Sequence, residues 1–417
     1  MRTHAIISNI ALTLGLSLGM AACDDDGSRP GVIGSVDGPT RTPGAGGSSE
    51  TPSDDDPSDE DEPTATPTPE DLPPLTSEQV RAYLSRVAPV VAGRSMRYDE
   101  YEMIGELGPD AVEPMIRGWV EEPGFAEAIR YLVQEQLHAS GEREGVDYEL
   151  PGNLAAEIAR ESLPWSTILT ADYCVDGQGE HTDCDTGAPY AAGVLATRAY
   201  LIANKGRFNL SRAKLMLEAF ACRVYPMEHD IQPPLTKPTL IPMFRAESQE
   251  EQMVEGAEGG FGNGIGCYFC HSQFGAHAQL FVKFDAEGLW REDATGQQNP
   301  YDELGRSFDG LYTSHMHDPY EAADETAQVF GEQVANLREA GEVIADSELF
   351  PQCTVKNLVA HAFDLQAGHS EDVSEDLVVS LAERITSEQS DPAIADYVVE
   401  VFTDEQVIRA AVAPANE

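Results

Sequence analysis

The chain has 417 residues, 73 of them acidic and 26 basic, and its formal charge is −47. That balance excludes nucleic acid as an expected partner, since phosphate recognition needs a basic footprint. It suits an exported protein kept soluble by charge, with an acidic surface able to steer a basic partner.

Residues 1–22 read as a signal peptide. Arg2 gives a positive start, residues 6–22 form a short apolar run, and Met20-Ala21-Ala22-Cys23 puts small residues before a cysteine. The pattern resembles a bacterial lipoprotein signal in which Cys23 carries the lipid; Met20 departs from it and leaves ordinary cleavage as the alternative. No later segment is apolar enough to cross a bilayer, so membrane attachment is expected through lipid alone, at the periplasmic or outer face of the cell envelope. Residues 23–75 follow as a tether. Between Asp24 and Pro74 stand fourteen Asp or Glu and two Arg among many Pro, Thr, Gly and Ser. Such a segment cannot bury a core and is expected to be a disordered, self-repelling spacer.

The rest predicts a mainly α fold in two helical modules, 76–188 and 189–417, with short irregular β and loop segments. Thr76-Ser77-Glu78 opens a helix whose Val80, Tyr83, Leu84 and Val87 share one face, and Pro89 is expected to close it. Further helices are predicted from Asp110 (Val112, Met115, Ile116 and Trp119 inward), over 125–137 and over 153–163. Cys174 and Cys184 flank a polar loop. Helices are then expected over 190–203 and 212–224, an extended proline-rich stretch over 226–242, and a glycine loop over 256–266. A short strand-turn segment is predicted over 281–291, and helices over 321–340, 355–363, 373–385 and 394–412.

The most informative run is Cys267-Tyr-Phe-Cys270-His271, a Cys-x-x-Cys-His signature of covalent c-type haem attachment. Two thiols three apart share a helical face and can add to both haem vinyl groups, and the next residue can ligate the iron. With 7 Cys and 10 His in the chain, chance alone supplies roughly 0.003 such runs. A thioredoxin-type dithiol is the rival, but six glycines in the eleven residues before Cys267 replace the strand that should lead in. Half a zinc site is the other rival, and no partner motif is present.

Export makes the cysteine count informative. Cys23 is assigned to lipid and Cys267 and Cys270 to haem, which leaves Cys174, Cys184, Cys222 and Cys353. An even remainder in an oxidising compartment suggests two disulfides. Cys174 with Cys184 is the natural local pair and Cys222 with Cys353 the remainder, although three pairings exist and buried free thiols are the alternative.

Several separated runs resemble one family. They are Pro164-Trp-Ser-Thr-Ile-Leu-Thr-Ala-Asp-Tyr173, Arg198-Ala-Tyr-Leu-Ile-Ala-Asn204 and Phe220-Ala-Cys-Arg-Val-Tyr-Pro226 with Pro233-Pro234. After the haem motif come Phe284-Asp-Ala-Glu-Gly-Leu-Trp-Arg291 and Glu348-Leu-Phe-Pro-Gln-Cys353. Their order resembles the uncharacterised modules of planctomycete-type cytochrome c proteins over roughly residues 107–365. The resemblance implies a predominantly helical fold, one covalent haem, here in a core of about 205–365, and a redox role without a named substrate. The glycine loop stands where many relatives carry a basic residue or His, and the region of His315-Met316-His317 has no clear counterpart.

His271 is the proximal ligand in this reading, with Met316 leading as the distal ligand, Met253 next, and His315, His317 or an open site as the other options. Each Met has a plainer use as core filler. Arg291 could fork onto a haem propionate, an ordinary ion pair being the plainer use. An electron carrier for an exported partner is therefore expected, with a haem-dependent oxidase or peroxidase and a non-haem binding module as alternatives.

Overall fold

Helix α1 (Ser77–Val91) starts where the sequence demands a cap. The Thr76 hydroxyl accepts from the Gln79 backbone N–H at 3.2 Å, and the Gln79 side chain accepts from the Thr76 N–H at 2.9 Å, a reciprocal capping box. The structure is a computed structural model and describes residues 73–143, 145–205, 209–223, 277–292, 324–363 and 374–412.

The protein is mainly helical. After α1 come α2 (Tyr98–Leu107), a 3-10 turn (Gly108–Ala111), α3 (Val112–Val120), α4 (Pro123–Gln136), α5 (Leu150–Arg160) and the short α6 (Thr167–Thr170). The chain continues through α7 (Arg198–Ala203), α8 (Leu210–Ala221), a 3-10 turn (Gln279–Phe281), α9 (Leu337–Ala345), α10 (Leu349–Phe363), α11 (Glu375–Glu388), α12 (Ile394–Thr403) and α13 (Glu405–Val412). Among the described residues, strand is confined to three two-stranded antiparallel hairpins: β1 (Glu142–Arg143) with β2 (Val146–Asp147), β3 (Cys174–Val175) with β4 (His181–Thr182), and β5 (Ala327–Val329) with β6 (Glu332–Val334). Among the same residues, no helix is long and apolar enough to cross a membrane.

Packing crosses the predicted module boundary. Pro73–Glu417 groups as one compact unit, and the division at 188/189 falls inside it. α12 packs on α3 and α13 on α1, so the last helices close over the first. The buried Tyr83 hydroxyl donates to the Phe402 carbonyl at 2.8 Å, a bond between residues 319 apart in sequence. Each fully buried apolar side chain in this core, such as Val80, Leu84 or Val398, contributes roughly 1.5–3 kcal/mol.

Several elements depart from the sequence expectation for identifiable reasons. α1 continues past Pro89 to Val91 instead of stopping there. A proline in the last turn forfeits one backbone bond only, and burial of Val91 offsets it. α5 starts at Leu150, three residues before the expected Asn153, with proline in its first turn. α2 has no apolar stripe to announce it: only Glu100 and Ile104 are buried on it.

Residues 190–197 are not helical. Their backbone instead bonds to α6 and the residue after it, with Gly193 N–H to Ala171 O at 3.0 Å and Val194 N–H to Ile168 O at 2.9 Å. Gly193 sits at φ +49, and a Cβ there would collide with Ile168 O, so only glycine permits this approach. The helix expected over 321–340 is replaced in its described part by β5, β6 and the start of α9. Phe330 (φ 49) and Gly331 (φ 90) make a two-residue turn whose positive φ values match the right-handed twist of a hairpin. The tail helix is split because the Asp404 carboxylate accepts from Gln406 N–H at 2.9 Å and starts α13 afresh.

Candidate functional site

Cys267, Cys270 and His271 lie outside the described residues, as do Met316, Met253, His315, His317 and Cys23, the glycine loop and the 226–242 stretch. The described segment nearest after the motif in sequence is 277–292. Around it the structure gathers runs on which the family resemblance rests.

The 284–291 run is a turn organised by Asp285. Phe284 and Trp290 form an antiparallel bridge. One Asp285 carboxylate oxygen accepts the backbone N–H groups of Glu287 and Leu289, each at 2.9 Å. The other oxygen accepts Arg291 Nε at 2.8 Å and pairs with its Nη2 at 2.6 Å. Arg291 therefore has an ordinary carboxylate partner within its own run. Gly288 takes φ +69, and a Cβ there would press on Arg198 Cγ at 3.1 Å, so α7 and the turn meet through a glycine.

The turn is seated on two arginines. Arg198, from the 198–204 run, donates Nε to Glu287 O at 2.8 Å and pairs with Asp185 at 3.0 Å. Arg212, on the buried face of α8, is 0% exposed and holds the turn from beneath. Its guanidinium donates to Phe284 O (3.0 Å), Asp285 O (2.9 Å), Leu201 O (2.8 Å) and the Asn209 side chain (3.1 Å). Tyr200, in the same run as Arg198, donates its hydroxyl to Arg212 O at 2.5 Å. A guanidinium with its planar fork can serve several carbonyls at once, which a lysine in this place could not.

Next to the turn lies a buried acid. Glu325, 7% exposed, accepts the Tyr190 hydroxyl at 2.5 Å. Tyr190 meets the Trp290 ring edge-on at 5.5 Å between centroids, Trp290 meets Phe284 at 5.3 Å, and Lys283 Nζ stands 5.2 Å from the Trp290 centroid. Gln279 donates to the Asp324 carbonyl and ties 277–292 to the segment that leads into β5. Burial pushes the Glu325 carboxyl up to about 7, against the opposing pull of the Tyr190 hydrogen bond and the Lys283 charge. The Tyr190 hydroxyl is raised by burial and by the Glu325 charge. A carboxyl that titrates near neutrality beside a phenol can take up or release a proton. His277, at the start of the segment, is buried as well.

The remaining cysteines are placed by the described elements. Cys174 and Cys184 are joined, the first on β3 and the second just past β4, with Cα atoms 5.2 Å apart. Cys222, which ends α8 in a left-handed conformation, is joined to Cys353 on α10, with Cα atoms 5.1 Å apart. This is one of the three pairings the cysteine count allows. It links the run starting at Phe220 to the run ending at Cys353. The 164–173 run is placed elsewhere, against residues 190–197 and Pro392–Ala393.

Neither Glu325 with Tyr190 nor Arg212 was singled out by sequence reasoning. Arg212 had a usable signal, a lone charge four residues before Met216 on an apolar helix face; the Glu325 pair, 135 residues apart, had none. Among the described residues, no group of three or more His, Cys, Asp or Glu could hold a metal ion. In comparison with known proteins, no family model, no curated protein and no solved structure matches this chain.

Proposed function

We propose that the protein is an exported, lipid-anchored, mono-haem c-type cytochrome that passes single electrons to or from an exported partner, a basic one given the charge of −47. The observation that carries this reading is the run Cys267-Tyr-Phe-Cys270-His271. Two thiols and an adjacent imidazole are the donor set a c-type haem takes, with Cys267 and Cys270 as the covalent attachments and His271 as the proximal ligand. Met316 is the proposed distal ligand. Bound there, the group supplies one-electron chemistry at iron. Cys23, by its place after a small-residue signal, is the proposed lipid attachment. The resemblance to planctomycete-type cytochrome c proteins supports the same reading.

A second reading, a haem-dependent oxidase or peroxidase, is supported by the Glu325–Tyr190 pair, a buried acid hydrogen-bonded to a phenol of the kind that can pass a proton in such chemistry.

The test is a reduced-minus-oxidised absorption spectrum of the full chain produced with c-type maturation machinery. A sharp reduced band from haem that resists acid-acetone extraction, and its loss in Cys267→Ser/Cys270→Ser, is the expected result. Protein free of covalent haem would sink both readings. Ready binding of carbon monoxide to the reduced form would favour the enzyme, and an unchanged spectrum in Met316→Leu would remove Met316 from the iron.

A further inference from the structure

A cavity of about 510 Å³ opens between the α9–α10 turn and the end of α11, with the start of α12 beneath it. That volume falls in the usual range for small-molecule sites, about 300–1,000 Å³. Its apolar lining includes Phe350, Ala382 and Pro392. Its rim is acidic on two sides: Asp346 and Glu348 stand on the α9–α10 turn, Glu383 and Asp391 on the α11 side. No Lys, Arg or His lines it, and among the described residues none of the four carboxylates has an ion-pair partner. Asp391 accepts the Ser166 hydroxyl at 2.8 Å, a neutral donor that leaves its charge uncompensated.

Acidic rims alone are common on so acidic a chain. The second observation is Tyr397, which lines the cavity while only 2% exposed. No described residue hydrogen-bonds its hydroxyl, whereas the buried phenols of Tyr83 and Tyr200 both have backbone partners. Burial and the nearby Asp391 and Asp396 charges raise its pKa, which keeps it a neutral phenol able to accept or donate. With the ring buried and no described residue bonded to it, the Tyr397 hydroxyl is left to a partner in the cavity that it lines.

We propose that this cavity binds an aliphatic diamine, with one ammonium between Asp391, Glu383 and the Tyr397 hydroxyl and the other at Asp346 and Glu348. The methylene chain would lie on Phe350, Ala382 and Pro392. The four acids come from two separate stretches of chain, and among the described residues no group of three or more His, Cys, Asp or Glu could hold a metal ion, which disfavours a metal as occupant. This inference stands apart from the haem reading.

The test is calorimetric titration of the full chain with 1,4-diaminobutane at 0.15 M salt, where diffuse attraction to the acidic surface is screened. One saturable site per chain is expected. Tyr397→Phe keeps the ring packing and removes only the hydroxyl, so it should weaken binding about tenfold. Glu383→Gln/Asp391→Asn should abolish the site, while the exposed control Glu102→Gln/Glu106→Gln leaves it unchanged. Each variant is checked for the wild-type circular dichroism and melting temperature. Unsaturable heat, or wild-type affinity in Tyr397→Phe and in Glu383→Gln/Asp391→Asn, would overturn the proposal. So would n-butylamine binding as tightly as the diamine. A lysyl-lysine peptide binding more tightly would assign the site to a protein partner and overturn the small-molecule assignment.

Discussion

Two buried carboxyls, Glu100 and Glu325, live under opposite electrostatic regimes. Both are nearly inaccessible, at 8% and 7% exposure. Glu100 receives the Arg94 guanidinium at 2.6 and 3.0 Å, the Trp119 indole N–H at 2.7 Å and the Arg97 backbone N–H at 2.5 Å. Burial alone would raise its pKa, but these donors outweigh burial and hold it down to about 2. Glu325 receives one neutral phenol, with the Lys283 charge farther off, and burial wins. Burial therefore does not set the sign; the number and charge of the donors do. The first arrangement builds scaffold, joining α2, α3 and the loop before α2. The second leaves an acid held by one neutral donor beside the 284–291 turn.

The largest expected effect tests the scaffold side. Glu100→Leu strands Trp119 Nε1 and leaves Arg94 with Glu122 as its one carboxylate partner, so urea unfolding at pH 7 should show a loss of about 3 kcal/mol. A loss below about 0.5 kcal/mol would reduce the network to an ordinary surface ion pair. The Glu100 value lies below the ordinary 4.5, so its stabilisation is present above that pH and fades as pH falls toward 2.

Glu325 should act with the opposite sign. Between pH 4.5 and about 7 the folded chain keeps a proton that the unfolded chain has lost, so stability declines as pH rises through that window. Glu325→Gln removes this decline. Between pH 5 and 8 the wild type should lose roughly 2 kcal/mol more than the variant. The repulsion of the other acids is common to both chains and cancels in the difference. Parallel stability curves would place Glu325 in the ordinary carboxylate range. The smallest effect is expected from Tyr190→Phe, about 1 kcal/mol at pH 8 and less at pH 5, where the partner is already neutral. An equal loss at both pH values would show that Tyr190 acts through packing alone.

Much of the helical frame was legible in the sequence because burial and periodicity coincide there. The faces of α1 and α3 are the residues their spacing named. The failures share a cause: the backbone was ordered by a distant partner. Residues 190–197 look helical until Gly193 meets Ile168 O, and 324–334 looks helical until Phe330 and Gly331 turn it back. α2 carries no apolar stripe because its buried face is Ile104 with the charged Glu100, whose partners lie on other elements. The 267–271 run stands out in five consecutive residues of sequence and lies outside the described residues. The seat of the 284–291 turn was not, because Arg212 is 72 residues away in the chain and binds by backbone carbonyls that carry no residue identity.

The bond between Cys222 and Cys353 has a topological result. Cys267, Cys270 and His271 all fall inside the covalent ring it closes, a circuit spanning 131 residues. A protease that makes a single cut anywhere between those two cysteines severs the backbone without releasing a fragment, and the nicked molecule parts only when the sulfur bridge is reduced. Damage inside the ring is thus contained for as long as the bridge stays oxidised, and the 267–271 stretch, cut on one side, stays covalently tied to the fold through the other.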